Sequence, residues 1–458
     1  MATHGLVLAA PSSGAGKTLV TLGLLRALRR AGHAVAGAKS GPDYIDPTYH
    51  TRAAGVASVN LDAWAMMPGT LRCLAARQPG SLVLVEGAMG VLDGAGRLGA
   101  GSAADLSECL GLPLILVVDA ARAGPSAALA AVGLRAVRPD LTLAGVILNR
   151  IASDRHASLV EAGFERAGIP VLGRVPRAAD VAVPERHLGL VPATELAASD
   201  DLIERAADLV CGGVDLERVV GAAGRLAPAP DRPLWLPRLP GARVAVAQDA
   251  AFVFAYPHLD WGAEPFSPLA DEPPSPEADA IFLPGGYPEL HATRLSSSPQ
   301  FRAGMLRAAA RGVPIYGECG GYMVLGDRLV DGTGAAHEML GLLPVTTSFA
   351  ERRLSLGYRR LTPLGGPFKA PLRGHEFHYA TVVEEGPAAR LFEVEDADGV
   401  TLPPVGHRRG SVSGSFAHVI AEAPSDDGHE RHAASSESEQ TGDECNASHG
   451  DLLNHTSV

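Results

Sequence analysis

Eight residues near the N-terminus, PSSGAGKT from Pro11 to Thr18, restrict the fold of this chain more than any other feature. They follow the apolar run Leu6–Ala10 and lead into Lys17–Arg30, where apolar residues recur at helical spacing. A buried strand, a glycine-rich turn and a helix opening on Lys-Thr make a cradle for phosphate. Backbone N–H groups near Gly14 and Gly16 and the helix N-terminus face the anion, Lys17 neutralises it, and Thr18 can hold Mg²⁺. Pro11 stands where the usual pattern has its first glycine, so the loop is a variant. Such a cradle sits at the carboxyl end of a strand in a parallel sheet, which predicts an α/β fold for this part of the chain.

The pattern downstream points the same way. Val35–Ala38, Leu82–Val85, Leu114–Val118 and Ala144–Leu148 are short apolar runs of the kind expected for strands covered on both faces. Helix-patterned segments such as Arg155–Ala167 lie between some of them. Ligands of these sheets bind just beyond the strand ends. KSGPDYIDP, Lys39–Pro47, follows the second run, and VEGAMGVLDG, Val85–Gly94, follows the third. Asp43, Asp46, Glu86 and Asp93 therefore gather near the phosphate cradle, unless the aspartates serve only as turn residues. Carboxylates crowded beside a triphosphate imply an intervening Mg²⁺. Lys39 can offset charge on phosphate or on an acidic substrate. Asn149, after the last run, is placed either to read an adenine edge or to cap its loop.

At 458 residues the chain is long for one core, and 46% hydrophobic residues suffice to fill two. The boundary is expected at LAPAPDRPLWLPRLPG, Leu226–Gly241, a proline-rich linker, with a helical stretch reaching about Val220 before it. A second αβ region follows: strands at Arg243–Ala247, Ala280–Leu283 and Val313–Tyr316, a helix near Gln300–Arg311, and a strand-rich part from about Val345 to His418. Five scattered cysteines argue against a disulfide framework, and no CxxC pair suggests zinc. The net charge of −12 is concentrated after Ala421, where nine acidic residues meet one arginine. That tail, 421–458, reads as disordered. The nearly balanced remainder makes nucleic acid an unexpected partner. With neither a signal-peptide pattern nor an apolar run long enough for a membrane span, a cytoplasmic location is expected.

In the second region GECGG, Gly317–Gly321, is a G-x-C-x-G elbow that would lift Cys319 above the sheet at a strand-to-helix turn. The following helix N-terminus favours a thiolate, and the Gly320 N–H can stabilise an oxyanion. LPGGYPEL, Leu283–Leu290, offers Gly285 or Gly286 as a second donor, with Gly286 preferred. A thiol nucleophile needs a base, and His375, His378, His407 and His418 are all candidates; spacing alone does not choose among them.

Taken in order, PSSGAGKT, GPDYIDP, EGAMG, PGGYPE, GECGGYM and GHEFHY resemble the cobyrinic or hydrogenobyrinic acid a,c-diamide synthases over roughly residues 5 to 420. The resemblance implies an α/β fold: a P-loop, dethiobiotin-synthetase-like parallel-sheet domain (1–225), the linker (226–241), and a class I glutamine amidotransferase-like α/β domain (242–420). It implies a carbon–nitrogen ligase of cobalamin biosynthesis, with ATP and L-glutamine as cosubstrates and Mg²⁺ as cofactor. A ring acetate would be activated as an acyl phosphate and captured by ammonia released from glutamine at Cys319. The family's histidine lies in an S-x-x-H segment, here Ser415–His418, which makes His418 the implied base. Other class I glutaminases carry a glutamate two residues later, where this chain has Ile420. The resemblance assigns Gly14, Gly16, Lys17, Thr18, Asp43, Glu86 and Asn149 to ATP and Mg²⁺, with Thr18, Asp43 and Glu86 on the metal. It assigns Lys39, Tyr44, Asp46 and Asp93 to the substrate or intermediate. The partner implied is a corrinoid, metal-free by overall resemblance to late-cobalt-insertion enzymes, with a homodimer as the assembly entertained. Nickel-sirohydrochlorin a,c-diamide synthase is the neighbouring alternative, cobyric acid synthase a more distant one, and a partitioning-type ATPase switch the alternative from another class.

Overall fold

The computed structural model describes residues 3–178, 181, 185–186, 189–190, 198–230, 236–259 and 263–423. The acidic tail from 424 and part of the proline-rich linker lie outside the described residues.

An eight-stranded sheet carries the first half. Its parallel strands are β1 (His4–Ala9), β2 (Val35–Ser40), β3 (Val59–Leu61), β4 (Leu82–Glu86), β5 (Leu114–Asp119), β6 (Leu143–Ile151) and β7 (Val171–Pro176), in the order β3-β2-β4-β1-β5-β6-β7. Gly224–Arg225 adds an antiparallel edge to β1. The strand interiors are buried on both faces, which is why they read as unbroken apolar runs. Helix α1 (Lys17–Arg30) begins at Gly16, whose φ of 88° is in the left-handed region that favours glycine. The order reverses beside β1, so the phosphate loop opens at the topological switch point of the sheet. Helix α2 (Asp46–Ala54) follows β2 and packs on α1.

The second half forms a ten-stranded mixed sheet. Ala263–Phe266, Val244–Ala247, Ala280–Leu283, Ile315–Glu318 and Val412–Ser415 run parallel. The path then continues antiparallel through Thr401–Arg409, Ala389–Asp396, Ser355–Pro363, Leu372–His378 and His418–Glu422. Only Phe416 and Ala417 separate Val412–Ser415 from His418–Glu422, which stand at opposite ends of that antiparallel series. The antiparallel part must therefore curl back on itself.

Two differences from the sequence reading have local causes. The strand expected at Val313–Tyr316 begins at Ile315, because the Val313 N–H closes the preceding helix onto the Ala308 carbonyl. Strand His418–Glu422 carries regular structure two residues into the segment read as tail, held by pairing with Leu372–Arg373.

The halves share cores. Tyr256, Ile420 and Ala421 pack with the first-half cluster around Val85 and Leu116, and Phe254 and Tyr287 join the cluster around Leu22 and Ile147. Polar clamps reinforce this: the Tyr358 hydroxyl donates to Asp62 at 2.9 Å, the Arg97 N–H donates to Asp398 at 2.8 Å, and the Arg373 guanidinium lies over Trp64, 5.0 Å from its ring centre. Asp62 is titrated up to about 6 by burial, against the lowering effect of its backbone and Tyr358 hydrogen bonds.

Candidate active site

Three strand ends of the first sheet converge on one charged cluster. Lys17, at the start of α1, donates to the Met89 carbonyl at 2.5 Å, and burial lowers its pKa against the opposing pull of Glu86. The Thr18 hydroxyl donates to Glu86 Oε1 at 2.7 Å. Glu86, the last residue of β4, is fully buried and also receives Lys39 Nζ at 3.1 Å and meets His50 Nε2 at 2.7 Å. Burial alone would raise its carboxyl; Lys39, His50 and Thr18 outweigh that and hold it well below the usual range.

Lys39 is the cation that lets these acids pack. Its ammonium contacts Asp46 and Glu86 and lies 3.9 Å from Asp43. Burial opposes its charge, but the carboxylates of Asp46, Glu86 and Asp43 hold it protonated, above the ordinary lysine value. Asp43 braces its own turn by accepting from the N–H groups of Ile45 and Asp46 at 2.8 and 3.0 Å. Asp93, exposed, accepts from the Gly90 N–H at 2.8 Å. In both residues the turn role and a position in the site coexist.

Asn149 donates to the Ala15 carbonyl at 2.9 Å and accepts from the Arg150 N–H at 2.9 Å. It thus braces the phosphate loop, with one amide hydrogen and one lone pair outside these two bonds. Gly16 is required here as well, since a Cβ would lie 2.1 Å from the Asn149 amide nitrogen. His50 was not singled out from the sequence. Its signal was present: it lies four residues after Asp46 on α2, so both side chains share one helix face.

The second centre is built on backbone strain. Cys319 has φ 45° and ψ −103°, a conformation that a non-glycine residue adopts only under constraint. The constraint comes from its surroundings: the Cys319 N–H donates to the Ser415 carbonyl at 2.8 Å, and Gly320–Leu325 continues at once as a helix. A Cβ at Gly321 would fall 1.9 Å from the Leu283 carbonyl oxygen, and one at Gly320 would fall 3.0 Å from the Gly286 nitrogen. The elbow and the PGG turn are thus in van der Waals contact, with Gly286 N beside Gly320. A Cβ at Gly285 would meet His418 at 2.4 Å.

Among the four histidines, His418 lies beside Cys319. Burial pulls its pKa down, but interactions with Cys319 and Glu318 outweigh this and lift it to about 9. An imidazolium against the sulfur is the arrangement a thiolate nucleophile needs. His407 instead bonds the Tyr322 hydroxyl at 2.5 Å, and His378 stacks on Phe416 with 3.9 Å between ring centres. His375 pairs across from His418, and burial pushes its pKa down to about 3.

A cavity of about 670 Å³ is reached by Ser13 and Thr18 of the phosphate loop and by His418 of the cysteine centre, while Lys17, Lys39, Glu86 and Asn149 line an adjoining one of about 430 Å³. Thr18, Asp43, Asp46 and Asp93 line the larger on one side, and His375, Phe377 and His418 on the other. Tyr44 spans the junction, stacked on Phe254 and Tyr256 at 5.1 and 4.4 Å and tilted against His418 at 5.0 Å. The mouth carries exposed apolar side chains, Met89 and Leu356. Leu356, Tyr358, His375 and Phe377 come from the second sheet, and nothing in their sequence spacing marked them as walls of a cavity shared with the first. Among the described residues no helix is long and apolar enough to cross a membrane.

Comparison with known proteins agrees with this two-centre layout. Residues 6–191 match the CobQ/CobB/MinD/ParA nucleotide binding domain, and residues 244–426 match the CobB/CobQ-like glutamine amidotransferase domain. The hydrogenobyrinate a,c-diamide synthase of Brucella suis biovar 1 is 53% identical over 439 residues, spanning 91% of this chain and 98% of that protein. The enzyme of the same name from Rhizobium meliloti is 52% identical over 427 residues, with 91% and 99% covered, and that from Rhodobacter capsulatus is 50% identical over 432 residues, with 91% and 98% covered. This chain belongs to the hydrogenobyrinate a,c-diamide synthase family.

Proposed function

We propose that this glutamine-dependent ligase amidates the a and c acetate carboxylates of hydrogenobyrinic acid in cobalamin biosynthesis, each through an acyl phosphate. The observation that carries the reading is a cavity lined by Ser13, Thr18 and acids from the phosphate side and by His418 from the cysteine centre. A carboxylate is a poor electrophile and needs phosphate as a leaving group. Ammonia must then reach the activated carbon before water does.

In the phosphate half, the loop N–H groups and Lys17 hold the ATP phosphates in line with a ring acetate. The acetate oxygen attacks the γ-phosphorus, ADP leaves, and the acyl phosphate remains. Thr18, Glu86 and Asp43 would hold Mg²⁺. Among the described residues no three acidic, histidine or cysteine side chains form a metal site by themselves, but a hydroxyl 2.7 Å from a carboxylate beside a phosphate cradle suits an ion that takes one or two carboxylates plus phosphate oxygens. Mg²⁺ neutralises phosphate charge when bound. Asp46 and Asp93, with Lys39 as counter-charge, orient the acetate and the incoming ammonia, and Tyr44 separates the two centres.

In the cysteine half, Cys319 Sγ attacks the glutamine carboxamide, with the oxyanion held by the N–H groups of Gly320 and Gly286. His418 gives its proton to the departing ammonia, leaving a glutamyl thioester, and then takes a proton from water as that ester is hydrolysed. Ammonia passes Tyr44 to the acyl phosphate, forms the amide and displaces phosphate.

The exposed apolar mouth suits a large ring whose acetate arms enter a polar interior. The test is an assay with ATP, Mg²⁺ and glutamine against hydrogenobyrinic acid, cobyrinic acid and nickel-sirohydrochlorin. Preferred double amidation of the first is expected, and failure with all three sinks the reading. Carboxylates labelled with oxygen-18 should pass one label per amidation into inorganic phosphate; unlabelled phosphate would overturn the acyl-phosphate step.

A further inference from the structure

We propose that Glu318, the residue immediately before the nucleophile, is the positioning acid that orients His418. It takes the role that a glutamate two residues after the histidine has in other class I glutaminases. This rests on the glutaminase reading of Cys319 and His418 and goes beyond it.

The usual position is closed to an acid. Ile420 is fully buried and packs in the apolar cluster shared with the first half, where an ionised side chain would sit among hydrocarbon. Glu318 reaches the histidine from another direction. It ends strand Ile315–Glu318, in register with Ser415, and its side chain crosses to the start of strand His418–Glu422. There Oε1 accepts the Val419 N–H at 2.9 Å, and Oε2 lies 3.6 Å from His418 Nδ1.

The contact is ionic in character. Both side chains are 2% exposed, and Nδ1 is buried without a hydrogen-bond partner. A buried carboxylate is costly unless a charge meets it, and the imidazolium of His418 supplies that charge. The Val419 N–H fixes one oxygen, so the other stays aimed at Nδ1. With Nδ1 facing the carboxylate, the opposite ring nitrogen is left to exchange protons with the substrate at Cys319. A small side-chain rotation is enough to shorten 3.6 Å to a hydrogen bond.

The remaining ionisable groups around the pair do not compete for this role. Tyr44 faces His418 from the loop before α2, and Tyr316 faces Glu318 from the same strand; burial keeps both phenols neutral. His375 and His378, on strand Leu372–His378, are pushed down to about 3 and 4 by burial, and so remain uncharged near neutrality. Arg359, whose charge acts on both of these histidines, is itself paired with Glu376 at 2.7 Å.

The test is Glu318→Gln, which keeps shape and the ability to accept the Val419 N–H. Glutamate release should fall about 100-fold or more in kcat, with KM for glutamine little changed. The alkaline limb of its pH profile should move from about 9 towards neutrality. Amidation with high ammonia, which does not use the thiol, reports the fold. Glutaminase within about threefold of the parent, with an unmoved alkaline limb, would overturn the proposal. Should the variant not fold, nitrogen-15 spectra of His418 in the unaltered protein decide. A proton retained on Nδ1 through pH 8 supports the pair, and a neutral ring whose proton sits on the other nitrogen, with Nδ1 bare, overturns it.

Discussion

The two centres hold themselves together by opposite means. Around Glu86, stability is a matter of charge balance: Lys39 faces Asp46, Glu86 and Asp43 within 4 Å, His50 hydrogen-bonds Glu86, Lys17 lies in the field of the same acids, and Asp93 remains open to solvent. Around Cys319 there is little charge beyond Glu318 and His418, and a strained backbone is clamped by close glycine contacts instead. A charge-balanced site is completed by its ligands, since phosphate and cation alter every term in it. A strained elbow is finished before the substrate arrives, and its cost of about 1–3 kcal/mol is met by the surrounding sheet. The centre that must accept ATP and a bulky ring is adaptable, and the one that cuts one small amide is rigid.

Removing one key residue from each centre gives the largest expected effects. Cys319→Ala should lower glutamine-dependent amidation by on the order of 10⁴-fold while high ammonia still supports product. Lys17→Ala should lower amidation with either nitrogen source by about 100- to 1000-fold, yet leave Cys319 reactive towards an electrophilic glutamine analogue. If Cys319→Ala, still folded, loses the ammonia reaction too, the division between centres fails.

A pair of glycine substitutions sharpens the contrast on the scale of stability. Gly321→Ala pushes a methyl to 1.9 Å from a backbone oxygen, and should cost about 3 kcal/mol or more in urea unfolding. Gly14→Ala has nothing within 4 Å and only its φ of 77° to overcome, so about 1–2 kcal/mol is expected. Equal losses would remove the distinction between a clamped and an open loop.

The smallest effect concerns pH. His418 is raised from 6.5 to about 9 in the folded protein, so its stabilising contribution is complete below about 6.5 and disappears as pH rises through about 9. Glutamate release and melting temperature should both decline over that interval. His418→Asn should flatten the second trend, and an unchanged slope would show that another group titrates.

How far the sequence revealed each centre follows from how each is assembled. Helix Lys17–Arg30 and strand Ala280–Leu283 have the predicted ends, and most first-half strands begin within two residues of the apolar runs that announced them. The phosphate-side residues were legible because they lie at or near the carboxyl ends of parallel strands, where local pattern and ligand position coincide. His50 escaped notice because a lone histidine in a helix carries no such mark. The cysteine side was legible only at its elbow. Glu318 was merely the variable position of G-x-C-x-G, and its contact with His418 depends on a curl of the antiparallel strands that no local pattern encodes. Tyr358 and Phe377 reach the cavity through the same curl.

The burial of Ile420 and Ala421 in the first-half core has a consequence for modularity. These residues come immediately after the His418–Val419 pair, so the strand that carries His418 is anchored in the nucleotide-binding half. Cutting the gene at its proline-rich linker would not yield two self-sufficient parts, because the separated glutaminase would lose the packing that holds its histidine strand in place. Keeping both halves in one chain holds that packing in place.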